Sequence, residues 1–483
     1  MNNPQAPERP ERPERQQPQA PILLTPGPLT TDRRTRDAGG LDHGSWDDDF
    51  RRMTREVCAG LMSALGALNR DYCCVPMQGS GTFAVEAAVR TLVAPRAGLV
   101  VPVNGAYCER LATLARRAGR KVETIQFPWD QPIDPERLTA TLAWLPADYT
   151  HVGIVHCETS TGMLNPLPQL ATAAGVAGRE VIVDAMSTFG ALDTAADHPA
   201  ISAIVAASGK CLESVPGVGF VFVAAEALEG TKGRADSLSL DLADQYEYLE
   251  RTGQWRFTPP TTVVASLAEA LRLYREQGGR PGRLARYQAN NRELARGAHA
   301  LGLKSYLDRR HQAPIIHTFH VPDLPGWDFD RFYQGVKRRG FILYPGKLTQ
   351  ADTFRVGCIG AIDPADIRRA VAAIKHSLDE LGTALPDAAR PAQQRPAGSP
   401  APVWARPPAP GAASLTPQQT SDSPVSVSVQ SHPGDAADPA LRRNPDSPVP
   451  APVSAPAQLR PGSAADPAPA ATSGVPALVE AAA

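Results

Sequence analysis

Residues Arg179–Gly190 read REVIVDAMSTFG and residues Ala203–Phe220 read AIVAASGKCLESVPGVGF. Val181, Ile182 and Val183 form a short continuous apolar run, the pattern of a strand buried on both faces, and the run stops at the carboxylate of Asp184. A second run, Ala203 to Ala207, stops at Ser208, Gly209 and Lys210. A carboxylate and an amine thus each stand just past the C-terminal end of a buried strand, where open α/β sheets place their ligands. A lysine at such an apolar rim is partly desolvated, which lowers its pKa and frees the amine for Schiff-base chemistry. An aspartate buried nearby suits the protonated nitrogen of a pyridine-type cofactor. From these residues alone two plainer readings stay open, with Asp184 as a helix N-cap before Ser187 and Lys210 as a solvated loop residue.

Upstream, Arg51 to Leu68 has helical spacing and Tyr72 to Met77 reads as a strand. Gln78-Gly79-Ser80-Gly81-Thr82 follows, then an Ala/Val-rich helix from Phe83 to about Val93. A strand, a Gly-rich turn and a helix start gather backbone N–H groups and the hydroxyls of Ser80 and Thr82 around one point, which makes an anion site. The turn lacks the lysine of a P-loop. Gly79-x-Gly81-x-x-Ala84 matches a dinucleotide fingerprint, but that reading needs an acidic residue at the end of the next strand, and the strand Leu99 to Val103 ends in Asn104-Gly105. A cradle for a single phosphate monoester is the better fit. Tyr107 sits at the following strand-to-helix turn, placed to stack on a planar ring or to pack on its own helix. His151 to His156 is another buried strand, ending in the polar loop Glu158-Thr159-Ser160-Thr161-Gly162. Gly219 to Ala224 returns beside the strand that leads to Lys210.

These apolar runs alternate with helical segments, so the chain is expected to be α/β: a large, doubly wound, mostly parallel sheet domain over residues 21–260. The prolines of GQWRFTPPTT break the pattern, after which Val263 to Gln277 and Leu284 to Leu301 read as long helices. Shorter strands follow at Ile315 to Val321, Phe341 to Leu343 and Phe354 to Cys358, with a helix from about Ala365 to Leu381. That gives a smaller α+β domain over residues 261–383. Inside its strand Phe354-Arg355-Val356-Gly357 stands an arginine that must find an anion, either an internal carboxylate or a substrate group met by two parallel N–H bonds.

The ends differ. Residues 1–20, rich in Pro, Glu, Arg and Gln, read as a disordered leader, and residues 384–483 as a disordered Pro/Ala-rich tail. Fold begins at Pro21 with ILLTPGPLTT, where Gly27 between two prolines makes a sharp turn. Lys plus Arg number 49 and Asp plus Glu 50, a net charge of −1, so nothing suggests a nucleic-acid footprint or a basic membrane-seeking face. The seven cysteines are scattered without a CxxC pair or zinc spacing, so no metal site is expected and the thiols read as reduced. The N-terminus has no apolar signal region, and no run approaches the roughly 18 apolar residues of a transmembrane helix. A cytoplasmic location is the expectation.

In order and spacing, LTPGPLTT, QGSGTFAVEA, NGAY, ETSTG, VDAMSTFG, SGKCLESVPGVGF, WRFTPPT and FRVGCIG resemble the 2-aminoethylphosphonate–pyruvate transaminases, members of the class V, fold-type I enzymes that use pyridoxal 5'-phosphate. The resemblance runs from about residue 21 to 383 and implies a role for each matching residue. Lys210 would carry the cofactor and Asp184 would pair with its pyridine nitrogen. Ser80, Gly81 and Thr82 would hold its phosphate, Tyr107 would stack on its ring, and Thr159 would lie near its hydroxyl. Thr258, in WRFTPPT, would reach the cofactor phosphate of a neighbouring subunit, which implies a homodimer. Arg355 would receive the anionic end of each substrate, and Thr25 and Gly27 would line the entrance. The implied reaction, a step of phosphonate breakdown, converts 2-aminoethylphosphonate and pyruvate to phosphonoacetaldehyde and L-alanine. Alanine–glyoxylate and serine–pyruvate aminotransferases share every cofactor residue and remain alternatives. A cysteine desulfurase needs a mobile cysteine, whereas Cys358 falls in a strand pattern. A non-enzymatic interaction module would need none of Lys210, Asp184 and Arg355.

Overall fold

The apolar runs that end at Asp184 and Lys210 are neighbouring strands at the centre of a seven-stranded sheet. The computed structural model describes residues 20–346 and 351–383, all within one compact unit. Apart from Ala20, the leader and the Pro/Ala-rich tail of the sequence reading lie outside the described residues.

In chain order the strands of this sheet are β1 (Tyr72–Gln78), β2 (Gly98–Val103), β3 (Lys121–Gln126), β4 (Tyr149–Val155), β5 (Glu180–Asp184), β6 (Ile201–Ala207) and β7 (Val218–Ala224). They lie in the order β1-β7-β6-β5-β4-β2-β3. The β6-β5-β4-β2-β3 pairs are parallel, while β7 runs antiparallel to both β6 and β1, with Gly219 opposite Ala207 and Val218 opposite Gln78. Six C-terminal ends and the start of β7 therefore share one edge.

Both faces of the sheet are covered, which is why its strands read as continuous apolar runs rather than alternating ones. Val181, Val183, Ile204, Phe220 and Phe222 join one core layer, while Ile182, Val205, Val221 and Val223 join the other. The first layer is closed by helix α1 (Asp48–Leu65) and helix α4 (Thr261–Glu276), whose Val264, Leu267 and Leu271 pack into it. The second is closed by α2 (Gly81–Leu92) and α3 (Ala106–Arg117). Helix α1 starts earlier and stops earlier than its spacing suggests. Asp48 and Asp49 favour its positive N-terminal end, and Gly66 in the left-handed conformation (φ 68°) closes it. Helix α2 begins at Gly81 rather than Phe83, which brings Gly81 and Thr82 into its first turn.

A second core surrounds a three-stranded antiparallel sheet of Ile316–His320, Thr353–Gly357 and Tyr344–Pro345, covered by α5 (Gly279–Ala300) and the helices Phe329–Arg338 and Pro364–Thr383. The expected strand at Phe341 to Leu343 does not join that sheet: Phe341 and Ile342 pair in parallel with Ile22 and Leu23. Leu24 continues the contact, accepting from the Gly357 N–H at 2.8 Å. The N-terminal segment is thereby anchored on this second core before Gly27 turns towards the large sheet. Among the described residues no helix is long and apolar enough to cross a membrane.

Candidate active site

A cavity of about 390 Å³ opens at the shared edge of the large sheet. Its wall is built from the segment after β1 (Gly79 to Thr82), the start of α3 (Tyr107, Arg110), the segment after β4 (Cys157, Thr159), the end of β5 (Asp184, Met186), the segment after β6 (Gly209, Lys210) and the entry to β7 (Pro216, Gly217). Gly27 and Pro28 close it from the N-terminal segment and Tyr344 from the small sheet. The size suits one small cofactor with its substrate.

Asp184 is the last residue of β5, and its Oδ1 accepts from the Met186 N–H at 3.0 Å. Burial pushes its carboxyl up from the ordinary 3.8 to about 6, opposed by that N–H and by the positive charges of Arg110 and Lys210. Lys210 follows β6, and burial lowers the pKa of its ammonium, with Asp184 opposing the fall. The two groups are thus electrostatic partners inside one cavity. Gly27 explains how the lysine fits: a Cβ there would lie 2.4 Å from Lys210 Nζ, and the residue's φ of +136° also favours glycine. Beyond the cavity wall the lysine loop is pinned to α5. Glu213 accepts from Tyr287 Oη at 2.6 Å and pairs with Arg283 and Arg286, while Arg283 Nη1 donates to the Cys211 carbonyl at 2.6 Å.

Ser80 caps α2 with extended backbone and makes no side-chain cap bond, so its hydroxyl is open to a ligand. The first N–H groups of a helix lack intrahelical acceptors, and here those of Gly81 and Thr82 sit on the cavity wall. Tyr107, in the first turn of α3, lines the same cavity. Thr159 is buried on the wall, and its carbonyl accepts from Arg355 Nη1 at 2.9 Å.

Arg355 itself is buried against two residues of the wall, Thr159 and Tyr344. Its Nη2 and Nε donate to the Pro345 carbonyl at 3.1 and 3.4 Å, and its guanidinium stands 5.2 Å from the centre of the Tyr344 ring. Among the described residues it has no carboxylate partner; backbone carbonyls hold it, an alternative absent from the sequence reading. Burial lowers its pKa, opposed by the neighbouring Tyr107, Tyr344 and Glu158. Thr25 lies beneath the Gly27 turn, its hydroxyl donating to the Pro28 carbonyl and its backbone packed where a Cβ on Gly357 would fall. Thr258 is exposed, outside this cavity.

Two residues central to the geometry were not singled out in the sequence. Glu158 is fully buried: Oε2 accepts from the Tyr107 and Cys108 N–H groups at 2.9 and 3.1 Å, and Oε1 accepts from the Ser160 N–H at 3.0 Å and its hydroxyl at 2.5 Å. One carboxylate thereby ties the start of α3 to the Thr159 loop. Gly105 permits it, since a Cβ there would lie 2.2 Å from Glu158 Cγ. The available signal was a carboxylate just after a buried strand, the same signal that marked Asp184. Arg110, one turn after Tyr107, carries its guanidinium 4.6 Å from the centre of that ring and lines the cavity. On α3 it reads as an ordinary solvated helix residue.

A family model described as aminotransferase class-V matches residues 68–322. A 2-aminoethylphosphonate–pyruvate transaminase of Burkholderia ambifaria is 55% identical over 366 residues, covering 76% of this chain and 97% of that protein. One of the same name from Pseudomonas fluorescens is 53% identical, covering 75% and 98%. Among solved structures, an aspartate aminotransferase of Thermus thermophilus superposes with a TM-score of 0.65 at 27% identity, covering 74% of this chain and 99% of that one. The pyridoxamine–pyruvate aminotransferase of Mesorhizobium loti superposes with a TM-score of 0.69 at 23% identity, covering 75% and 93%, a likeness of fold.

Proposed function

Because the chain belongs to the class V aminotransferases, we propose that it moves the amino group of 2-aminoethylphosphonate to pyruvate, releasing phosphonoacetaldehyde and L-alanine. The observation that carries this reading is the identity of 53 to 55% to transaminases of that name, over nearly their whole length, combined with Lys210 and Asp184 facing one cavity.

Pyridoxal phosphate is the cofactor of this family, and the residues present fit it. The uncapped Ser80 hydroxyl and the α2 N-terminus offer a phosphate cradle, and Asp184 is a buried carboxyl in want of a cationic partner. When bound, the cofactor's protonated pyridine ring draws off the electron pair left at the amine-bearing carbon. Ser80, Gly81 and Thr82 would hold its phosphate and Tyr107 would pack on its ring. The Asp184 carboxylate would take the pyridinium N–H, which would replace the solvation that burial removed. Lys210 Nζ would hold the cofactor covalently and would take the proton from the donor's amine-bearing carbon; its lowered pKa leaves more of the amine uncharged for that task. Arg355, anchored by Thr159 and Pro345, faces the anionic end of each substrate with the N–H groups those carbonyls leave over.

Two coarser features complete the proposal. Thr258 is exposed and outside its own cavity, which suits a contact with the cofactor phosphate of a second copy in a homodimer. All seven cysteines are free thiols, which suits a cytoplasmic enzyme.

The test is the absorption spectrum of the purified, cofactor-loaded protein before and after adding 2-aminoethylphosphonate without pyruvate. Conversion of the lysine-bound cofactor band to the pyridoxamine band is expected, with reversal on adding pyruvate. A band unmoved by this donor but bleached by alanine or serine would replace the proposal with an alanine–glyoxylate or serine–pyruvate aminotransferase.

A further inference from the structure

The cavity carries a cation that the roles above leave unused. Arg110 lies on its wall, whereas Arg355 is buried against the wall residues Thr159 and Tyr344. The two arginines approach one residue from different elements: Arg110 stands over the Tyr107 ring, and Arg355 is a charge neighbour of the same side chain. Among the described residues the Arg110 guanidinium makes no ion pair with a carboxylate, although Asp184 feels its charge. Its backbone is firmly placed, because Glu158 accepts from the Tyr107 and Cys108 N–H groups in the preceding turn.

Donor counting separates the two arginines. A guanidinium has five N–H groups. Arg355 directs three of them, one from each nitrogen, at the carbonyls of Thr159 and Pro345. One N–H remains on each terminal nitrogen, at most two for a substrate anion because the Tyr107 side chain is a hydrogen-bond neighbour of the same guanidinium, and two is what the two oxygens and single charge of a carboxylate need. A phosphonate has three oxygens and, near neutral pH, a second charge. Arg355 alone leaves one oxygen and that charge unanswered.

We propose that Arg110 is a specificity-determining residue of this site, the second cation that takes the remaining phosphonate oxygen and so separates a phosphonate donor from a carboxylate substrate. This rests on the function proposed above and names the residue that makes the donor distinct. With pyruvate or alanine in the cavity, Arg110 stays over Tyr107 and makes no anion contact.

The experiment compares wild type, Arg110→Gln and Arg110→Lys as full-length, cofactor-loaded enzymes. It measures KM for 2-aminoethylphosphonate and for pyruvate, inhibition constants for methylphosphonate and acetate, and the cofactor dissociation constant. Arg110→Gln is expected to raise the aminoethylphosphonate KM and the methylphosphonate constant roughly 10-fold or more, the size of a lost charge-assisted hydrogen bond. Arg110→Lys should recover part of this. The pyruvate KM and acetate constant should move by no more than about threefold, as for an exposed charge acting at a distance. An equal rise for acetate and pyruvate would overturn the proposal, as would no change at all. A weakened cofactor with unchanged phosphonate constants would also overturn it, assigning Arg110 to the cofactor phosphate. If wild type fails to react with 2-aminoethylphosphonate, the proposed function fails on its own, and the ratio of methylphosphonate to acetate constants still decides the role of Arg110.

Discussion

Replacing Glu158 with Gln keeps the shape of the most heavily bonded carboxylate at the site and removes its charge. All four of its partners are donors: the N–H groups of Tyr107 and Cys108 on one oxygen, and the N–H and hydroxyl of Ser160 on the other. An amide NH₂ must face one of these pairs. Facing α3 it would orphan two fixed N–H groups, so the better choice is the Ser160 side, where the hydroxyl turns to accept and only the Ser160 N–H is left unpaired. That orphan costs about 1–3 kcal/mol, and removing the negative charge from the α3 N-terminus adds about 1 kcal/mol, giving about 2–4 kcal/mol. With about 2.1 cal/mol/K of unfolding entropy per residue over the roughly 360 described residues, Tm should fall by about 3–5 °C. Scanning calorimetry of cofactor-free protein measures this without the stabilisation that a bound ligand adds. A fall below about 1 °C would refute the reasoning, since the carboxylate would then not be what ties α3 to the Thr159 loop.

The Asp184 carboxyl, raised from 3.8 to about 6 by burial, is neutral in folded and unfolded chains below 3.8 and increasingly reluctant to ionise in the fold as pH rises. Stability of the cofactor-free protein should therefore drop by up to about 3 kcal/mol as pH rises through 6. Cofactor-free Asp184→Asn escapes that loss, so it should melt above wild type at pH 8 with the gap closing towards pH 4; a gap independent of pH would sink the argument. Arg355→Lys cannot bridge the Thr159 and Pro345 carbonyls and still present a fork, so KM for both substrates should rise roughly 10-fold or more. A lower Tm with unmoved KM values would make Arg355 a structural tie only. If Thr258 serves a partner's cofactor, mixing Lys210→Ala and Thr258→Ala subunits should recover activity through hybrid dimers that hold one intact site, and a mixture no more active than its parts would exclude a shared site.

The positions of Asp184, Lys210 and the Ser80 to Thr82 turn were legible in sequence because each stands at the end of a strand whose burial on both faces leaves an unbroken apolar run. Strand β3 was not, because Lys121–Gln126 lies at the sheet edge and its residues are mostly half-exposed, so it shows no such run. Glu158 escaped notice because its four partners come from two segments that only the fold brings together. Arg355 was read as needing an anion inside its apolar strand, yet the acceptors the fold gives it are carbonyls, which every residue possesses and no sequence pattern marks.

By itself, then, the sequence determined which residues stand at strand ends, since burial and periodicity are written in neighbouring side chains. Strand order, the pairing of β7 with β1, the pairing of Ile22–Leu23 with Phe341–Ile342, and the carbonyl contacts of Arg355 beside a cavity that Arg110 lines were decided only in three dimensions. Those features depend on contacts between distant segments, whose energies are set by shape and by unpaired polar groups rather than by local pattern.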